Sequence, residues 1–441
     1  MNAVPVNPAP TFRALLRAFT RIGFLSFGGP AGQIAIMQTE LVDRRRWISQ
    51  SRFLHALNFC MLLPGPEAQQ LAVYIGWLLH RTWGGIVAGS LFVIPSMFVL
   101  WGLSFVYAAF GNVPWIAAIF YGLKPAVLAI VAFAVLRIGK KALRNSVMWA
   151  IAAVSFAGIF FLKIPFPAII FGAGIIGFIG GKLAPAIFGG GGEAHGASKG
   201  REESSVLDDE GETPEHAKPS WSRALRVCVI WGLLWWSPIL ALGVWRGWDH
   251  TLFQEGLFFG KAAVVTFGGA YAVLPYVAQQ AVEHYHWLAP GQMMDGLGLA
   301  ETTPGPLIMV LQFVGFMGGW SRPMGLSPIL GATLGAFITT WATFVPCFLW
   351  IFLGGPHIEQ LRGNKSITST LSTVTAAVVG VILNLAVWFG LHVLFPRPGF
   401  VDWFAVALAL IAFGGMLRCK WDVIRVVIGS GILGLFYKLL L

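Results

Sequence analysis

Apolar residues run along this chain in two distinct patterns. Long uninterrupted runs lie at about 84–110, 114–138, 146–162 and 165–188, and again at about 326–353, 368–395, 401–417 and 422–440. A Trp-rich run lies between the two sets, at about 223–246. An α-helix needs ~20 apolar residues to cross ~30 Å of hydrocarbon, so the pattern predicts about nine crossings. Ahead of each set of four lies a different kind of region, 12–80 and 250–320, apolar but cut by Gly and Pro into pieces too short to cross singly. Irregular backbone at membrane depth is tolerated only where it is buried in protein or lines a cavity. These regions therefore predict four broken, re-entrant hairpins. The segment 189–220 departs from both patterns. It is rich in Gly and carries Glu193, Glu202, Glu203, Asp208, Asp209, Glu210, Glu212 and Glu215 against three basic residues, a composition suited to a solvated linker.

The two interrupted regions repeat one another. Shifting the numbering by 240 lays Phe27-Gly28-Gly29 on Phe267-Gly268-Gly269, Trp47 on Trp287, and Pro64-Gly65-Pro66 on Pro304-Gly305-Pro306 without a gap. The predicted organisation is a first half over 1–188, an acidic cytoplasmic linker over 189–222, an additional transmembrane helix over 223–248 and a second half over 249–441. Loop charge indicates how the halves are disposed. Loop 42–52 holds Arg44, Arg45, Arg46 and Arg52, whereas its counterpart 282–292 holds no Lys or Arg. Conversely, loop 354–367 holds Arg362 and Lys365 where its counterpart near 111–113 holds none. Cytoplasmic loops carry the excess of Lys and Arg, so the halves are expected in opposite orientations, with the helix at 223–246 supplying the extra crossing. The expected fold class is an all-α integral membrane protein of two inverted homologous halves with broken helices. Arg246 and Arg322 are exceptions to the charge rule.

Composition narrows the function classes. The chain of 441 residues is 56% hydrophobic and 11% charged, against about 25% charged for a soluble domain. The net charge of +11 sits in short clusters between apolar runs, which suits membrane topology and not a nucleic-acid surface. Cys60, Cys228, Cys347 and Cys419 form no CxxC pair, so neither a metal nor a disulfide framework is expected. His284 and His286 alone are a weak metal signal. No phosphate-binding loop or catalytic cluster stands out, so no cofactor and no enzymatic activity are expected. A membrane-embedded enzyme, such as a lipid-modifying protein, is the rival of a different class.

Inverted repeats with broken helices are a feature of secondary transporters, whose sites lie near the midplane where half-helix N-termini point at anions. Ser26-Phe27-Gly28-Gly29-Pro30 suits this use: glycines allow close approach to the backbone, and Pro30 fits a first helical turn. Thr266-Phe267-Gly268-Gly269 is the second copy. The alternative is that these glycines only allow tight packing. Arg21, Lys261 and Lys124 lie in apolar surroundings and are candidate anion partners, although Arg21 could equally extend to the cytoplasmic surface. Pro64-Gly65-Pro66 and Pro304-Gly305-Pro306 break further helices. Glu67 beside the first break and Glu301 beside the second are candidates for proton coupling or charge pairing, with a capping role the simpler reading of Glu67.

Phe24-Leu25-Ser26-Phe27-Gly28-Gly29-Pro30, Glu40-Leu41-Val42 with Trp47, and Pro64-Gly65-Pro66 with Gln70-Leu71-Ala72 resemble the chromate ion transporter family. The length resembles its long-chain branch of two fused halves. The resemblance implies export of chromate from the cytoplasm across a bacterial-type inner membrane, conferring chromate resistance and driven by the membrane potential or a proton gradient. Chromate has the shape of sulfate, so sulfate or molybdate remains an alternative cargo; self-association of the chain is left open. At ~2.3 kcal/mol per charge per 100 mV, a dianion leaving an inside-negative cell gains ~4.6 kcal/mol, enough for a gradient of roughly 10³. The second half departs from the motif at Ala270, where the first has Pro30, and at His284 to His286, where the first has arginines.

Overall fold

The computed structural model describes residues 10–27, 29–188, 206–207, 219–267, 269–357 and 365–440. These residues are helical almost throughout, with no named strand among them. The first half comprises α1 (Phe12–Leu25), α2 (Gly29–Gln38), a π-helical turn (Thr39–Arg44), α3 (Gln50–Cys60), α4 (Glu67–Phe110), α5 (Pro114–Ala142), α6 (Ser146–Phe160), α7 (Phe166–Leu183) and the short α8 (Pro185–Phe188). After α9 (Trp221–Arg246) the same order returns. It runs α10 (Thr251–Val265), α11 (Ala270–Gln279), a π-helical turn (Gln280–His284), α12 (Pro290–Thr302), α13 (Val310–Ser321), α14 (Pro328–Gly354), α15 (Lys365–Leu394), α16 (Trp403–Arg418) and α17 (Val423–Leu440).

Local sequence sets these boundaries. Asn145 caps α6 by accepting from the Met148 N–H at 3.0 Å, and Asp402 caps the equivalent α16 by accepting from Ala405 at 2.9 Å. Each supplies an acceptor to a donor that the first helical turn leaves unpaired. Pro114, Pro290 and Pro328 open α5, α12 and α14, where a missing N–H costs nothing. The likeness of the halves extends to backbone conformation. The non-glycine residues with left-handed φ form three pairs at equivalent turns: Arg46 (53°) with His286 (52°), Arg81 (54°) with Met324 (43°), and Lys163 (52°) with Lys420 (54°). Such conformations are unfavourable for L-residues, so their recurrence in pairs marks one backbone plan used twice.

The 44 residues of α4 would extend ~66 Å as a straight helix, more than twice the hydrocarbon thickness of ~30 Å. They form a hairpin instead. The chain leaves helical geometry at His80 and Arg81 and folds back, so that Gly76 and Gly84 abut with no room for a Cβ. The pair α13–α14 repeats this hairpin, with Gly319 against Gly331. α1 and α2 also double back, since Arg21, Ile22 and Leu25 line one cavity with Ala35, Ile36 and Thr39.

Equivalent helices of the two halves pack antiparallel. Along α4 and α14, Gly85 meets Phe352, Gly89 meets Phe348, and the Trp101 indole N–H donates to Thr333 at 3.1 Å. Along α5 and α15, Gly139 faces Val379 and Gly390 faces Leu128. Each half also gives its last two helices to the other. α6 and α7 pack on α15, where Gly380 meets the Ala152 carbonyl and Gly177 meets Thr370 and Thr373. α16 and α17 pack on α5, where Gly122 meets Gly434. Small residues let these backbones approach closely, as is usual between helices in lipid.

Among the described residues, seven helices are long and apolar enough to cross a membrane: α4, α5, α7, α9, α14, α15 and α17. The runs at 146–162 and 401–417 form the shorter α6 and α16, of 15 and 16 residues. Outward-facing Leu225, Val229, Leu233 and Val244 on α9, with Phe171 and Ile175 on α7, are exposed apolar side chains of the kind lipid covers. Of the linker, residues 206–207 and 219–222 are described. Leu207 exchanges backbone hydrogen bonds with Trp47 and Ser49, which holds this part of the linker at the end of the molecule carrying loop 42–52.

Candidate functional site

The four helix breaks come together between the halves by a reciprocal exchange. The Gly305 N–H donates to the Ser26 carbonyl at 2.7 Å, and the Gly65 N–H donates to the Thr266 carbonyl at 2.8 Å. Gly65 and Gly305 are equivalent residues, as are Ser26 and Thr266. Each Pro-Gly-Pro break thus seats on the Ser/Thr-Phe-Gly-Gly break of the other half. Both glycines have positive φ, 117° at Gly65 and 98° at Gly305, and a Cβ at Gly305 would lie 2.5 Å from that of Ser96. Gly65 lies against Cys347 in the same manner. Ser96 and Cys347 each follow a proline inside a long helix, Pro95 in α4 and Pro346 in α14.

The polar groups around the breaks divide into engaged and free. The hydroxyls of Ser26 and Thr266 each donate to the carbonyl four residues earlier, Ile22 and Ala262, at 2.6 Å. They close the ends of α1 and α10. The Gln33 amide donates to the Gly305 carbonyl at 2.6 Å and the Gln70 amide to the Pro64 carbonyl at 2.8 Å. Among the described residues, the Ser96 hydroxyl and both ends of the Gln69 amide are buried without a hydrogen-bond partner. Such groups are costly unless something pairs with them.

The N-termini of α2 and α11 differ in what faces them. At α11, the Glu67 carboxylate lies beside Gly269, with one oxygen 3.3 Å from where a Cβ would stand. Glu301 reaches the same helix, accepting from the Tyr271 hydroxyl at 2.5 Å. At α2, a Cβ on Gly29 (φ 70°) would meet nothing within 4 Å; the residue equivalent to Glu67 is Leu307 and the one equivalent to Glu301 is Met61. The first-half N-terminus is open, and Pro30 follows it as the second residue of α2. Gly28 and Gly268 lie outside the described residues.

The candidate cations are dispersed. Arg21 lies 3.9 Å from Glu40, which also pairs with Arg45 at 2.9 Å and Arg44 at 3.5 Å. Arg21, Leu25, Ala35, Thr39, Glu40 and Arg44 are among the residues around a cavity of about 380 Å³ between α1 and α2. Three guanidinium groups around one carboxylate leave this cluster net positive. Lys124 pairs with Asp295 on α12 at 3.7 Å, and Asp295 also accepts from the Tyr107 hydroxyl at 2.8 Å. Its acidic neighbour is therefore Asp295 and not Glu301. Lys261 is exposed. Glu40, Asp295, Ser96 and Gln33 were not singled out from the sequence. Glu40 lies in a motif already noted, but its burial at 6% exposure follows from the doubling back of α2.

This fold defines a polytopic helical membrane protein that assembles one broken-helix centre from two repeated halves, the architecture of a transporter. The chain belongs to the chromate transporter family, whose model matches residues 13–178 and 253–435. It is 28% identical to the chromate transport protein of Cupriavidus metallidurans over 438 residues, covering 98% of this chain and 95% of that one. Its identity to the chromate transport protein of Pseudomonas aeruginosa is 29%, covering 98% and 94%. An uncharacterized transporter of Bacillus subtilis, YwrB, is 28% identical over 134 residues, 30% of this chain but 68% of its own. No solved structure matches. The protein is a multi-pass protein of a bacterial-type plasma membrane.

Proposed function

We propose that this protein exports chromate from the cytoplasm, binding the dianion at the open N-terminus of α2 and releasing it on the far side. The observation that carries this reading is the contrast between the two breaks. One half-helix N-terminus is faced by a carboxylate, Glu67, and its twin is open. A helix N-terminus favours an anion through unpaired N–H groups and a partial positive charge. In the second half the protein provides its own anion; in the first half the cargo fills the equivalent place. Ser96 and Gln69 offer further buried polar groups near the breaks, and the Arg21–Arg44 entrance gathers anions from the cytoplasmic side. Glu67 and Glu301, both at α11, are candidates for coupling. The two halves lie inverted in the membrane, with loop 42–52 and the linker cytoplasmic and the C-terminus outside. The antiparallel packing of equivalent helices and the loop charges support this orientation. The outward potential on a dianion supplies the drive, and chromate resistance follows from export.

The test uses everted membrane vesicles, in which export becomes uptake. Labelled chromate is expected to accumulate, with excess sulfate or molybdate inhibiting only weakly. In Glu67→Gln the second N-terminus loses its tethered anion and becomes available to chromate, which then half-saturates uptake at roughly tenfold lower concentration, about 1.4 kcal/mol. Uptake of sulfate or molybdate in preference to chromate would reassign the cargo. An unchanged half-saturation in Glu67→Gln would remove the N-termini from the binding site.

A further inference from the structure

A second buried acid lies in the second half, away from the breaks. Glu255 is on the second turn of α10 and is 0% exposed. Among the described residues, neither carboxylate oxygen has a hydrogen-bond partner. One oxygen lies against Gly318 of α13 and the other against Gly335 of α14, with Trp287 beside Gly318. One turn along α14, the Thr339 hydroxyl is also fully buried and unpartnered, and it faces Gly315. The acid and the hydroxyl thus share one interface, walled by glycines where α10 packs on the α13–α14 hairpin.

No cation among the described residues pairs with Glu255. Neither α13 (Val310–Ser321) nor α14 (Pro328–Gly354) contains a basic or acidic residue. On the other elements around it, the titratable and charged groups toward this end of α10 are Arg246 at the end of α9, Asp249 and His250 just before α10, Arg322 after α13 and Tyr285 beside Trp287; Arg223, Arg226 and Cys228 lie in the first turns of α9, Lys261 further along α10, and Tyr271 and Tyr276 on α11. Arg246 donates to the Met324 carbonyl, the Arg322 carbonyl accepts from Thr251, and Tyr285 stacks on Trp287. None is in ion-pair or hydrogen-bond contact with the acid. An ionised carboxylate buried without a partner is far costlier than a neutral one, and the residue at the equivalent position of the first half is the buried apolar Leu15. The fold therefore accepts a neutral side chain at this position and does not need an acid to form.

We propose that Glu255 is a proton-binding site: it holds a proton while α10 is packed on the α13–α14 hairpin and gives it to water at the His250 end when that interface opens. One proton is bound by the carboxylate and one is released per opening, with no other change in bonding. The site is separate from the anion site at the helix breaks. Its use in coupling rests on the transporter reading; the presence of the proton does not.

Two readouts keep those statements apart. The first is the infrared difference spectrum of purified wild type against Glu255→Gln and Glu255→Leu near neutral pH. The wild type is expected to show the carbonyl stretch of one protonated carboxylic acid that both variants lack. A difference spectrum showing an ionised carboxylate instead would overturn the proposal. The second is thermal unfolding in detergent between about pH 5 and about pH 8. The packed state binds a proton that the unfolded state has released in this range, so wild-type stability falls as pH rises. Glu255→Leu is expected to lose that slope while keeping its folded elution profile. Equal slopes in wild type and Glu255→Leu would count against the site. For coupling, chromate-driven pH change inside everted vesicles is expected to vanish in Glu255→Gln and persist in Glu255→Asp. If Glu255→Gln moved protons as wild type does, the acid would have no part in coupling.

Discussion

At the scale of single residues, the centre depends on glycines whose roles differ. Gly305 and Gly29 both have positive φ, so either substitution to Ala carries a backbone cost of roughly 1–2 kcal/mol. At Gly305 the new Cβ would also strike Ser96, and the N–H that reaches Ser26 would shift with it. At Gly29 there is open space. Gly305→Ala is therefore expected to lower the melting temperature in detergent clearly more than Gly29→Ala, while Gly29→Ala lowers chromate affinity with most of the stability kept. Equal destabilisation by the two would mean that the reciprocal seating of the breaks contributes little. The positions of these glycines were legible in the sequence, because a repeated Pro-Gly-Pro marks a break whatever surrounds it. The partners were not. Lys124 and Asp295 lie far apart in sequence, and pair only because α5 and α12 pack together. Glu255 reads as one acid near the start of a helix until α13 and α14 enclose it.

At the scale of elements, the hydrophobic pattern located most helices, because a run of ~20 apolar residues has few other uses. It was less informative at turns. The reversal inside α4 falls at His80 and Arg81, with no proline or glycine at the bend, and Arg81 holds a conformation that its residue type does not signal. The equivalent reversal after α13 carries Pro323 and Gly325; both reversals fall where the apolar pattern breaks, between 80 and 84 and between 320 and 326. The antiparallel disposition of α4 and α14 gives an element-scale prediction. Trp101→Cys with Thr333→Cys, in a chain whose four native cysteines are replaced, is expected to be joined by a short bis-maleimide in intact membranes. Trp101→Cys with Phe352→Cys is not, since Phe352 lies at the other end of the pair beside Gly85. Linkage of the second pair but not the first would require the two helices to run parallel.

At the scale of the molecule, two copies of one plan meet head to tail and share their centre, yet their chemistry has diverged. The first half keeps the arginines around Glu40 and an open α2 N-terminus; at α11 of the second half, Glu67 reaches across from the first half to join the second half's own Glu301, and the second half also encloses Glu255. The repeat and its likeness to the chromate transporter family were visible in the sequence. The division of labour was not, since it depends on which half supplies the side chain facing each break. On the proposed function, the anion path runs along the first half and the titratable acid lies in the second, an arrangement that suits moving one charged cargo outward. The measurement that bears most directly on this account is chromate flux in proteoliposomes of the purified protein, with the potential imposed in either direction. The account predicts that chromate moves toward the positive side, that reversing the potential reverses the flux, and that Gly305→Ala abolishes it. Chromate flux indifferent to the potential, or equal in protein-free liposomes, would contradict it.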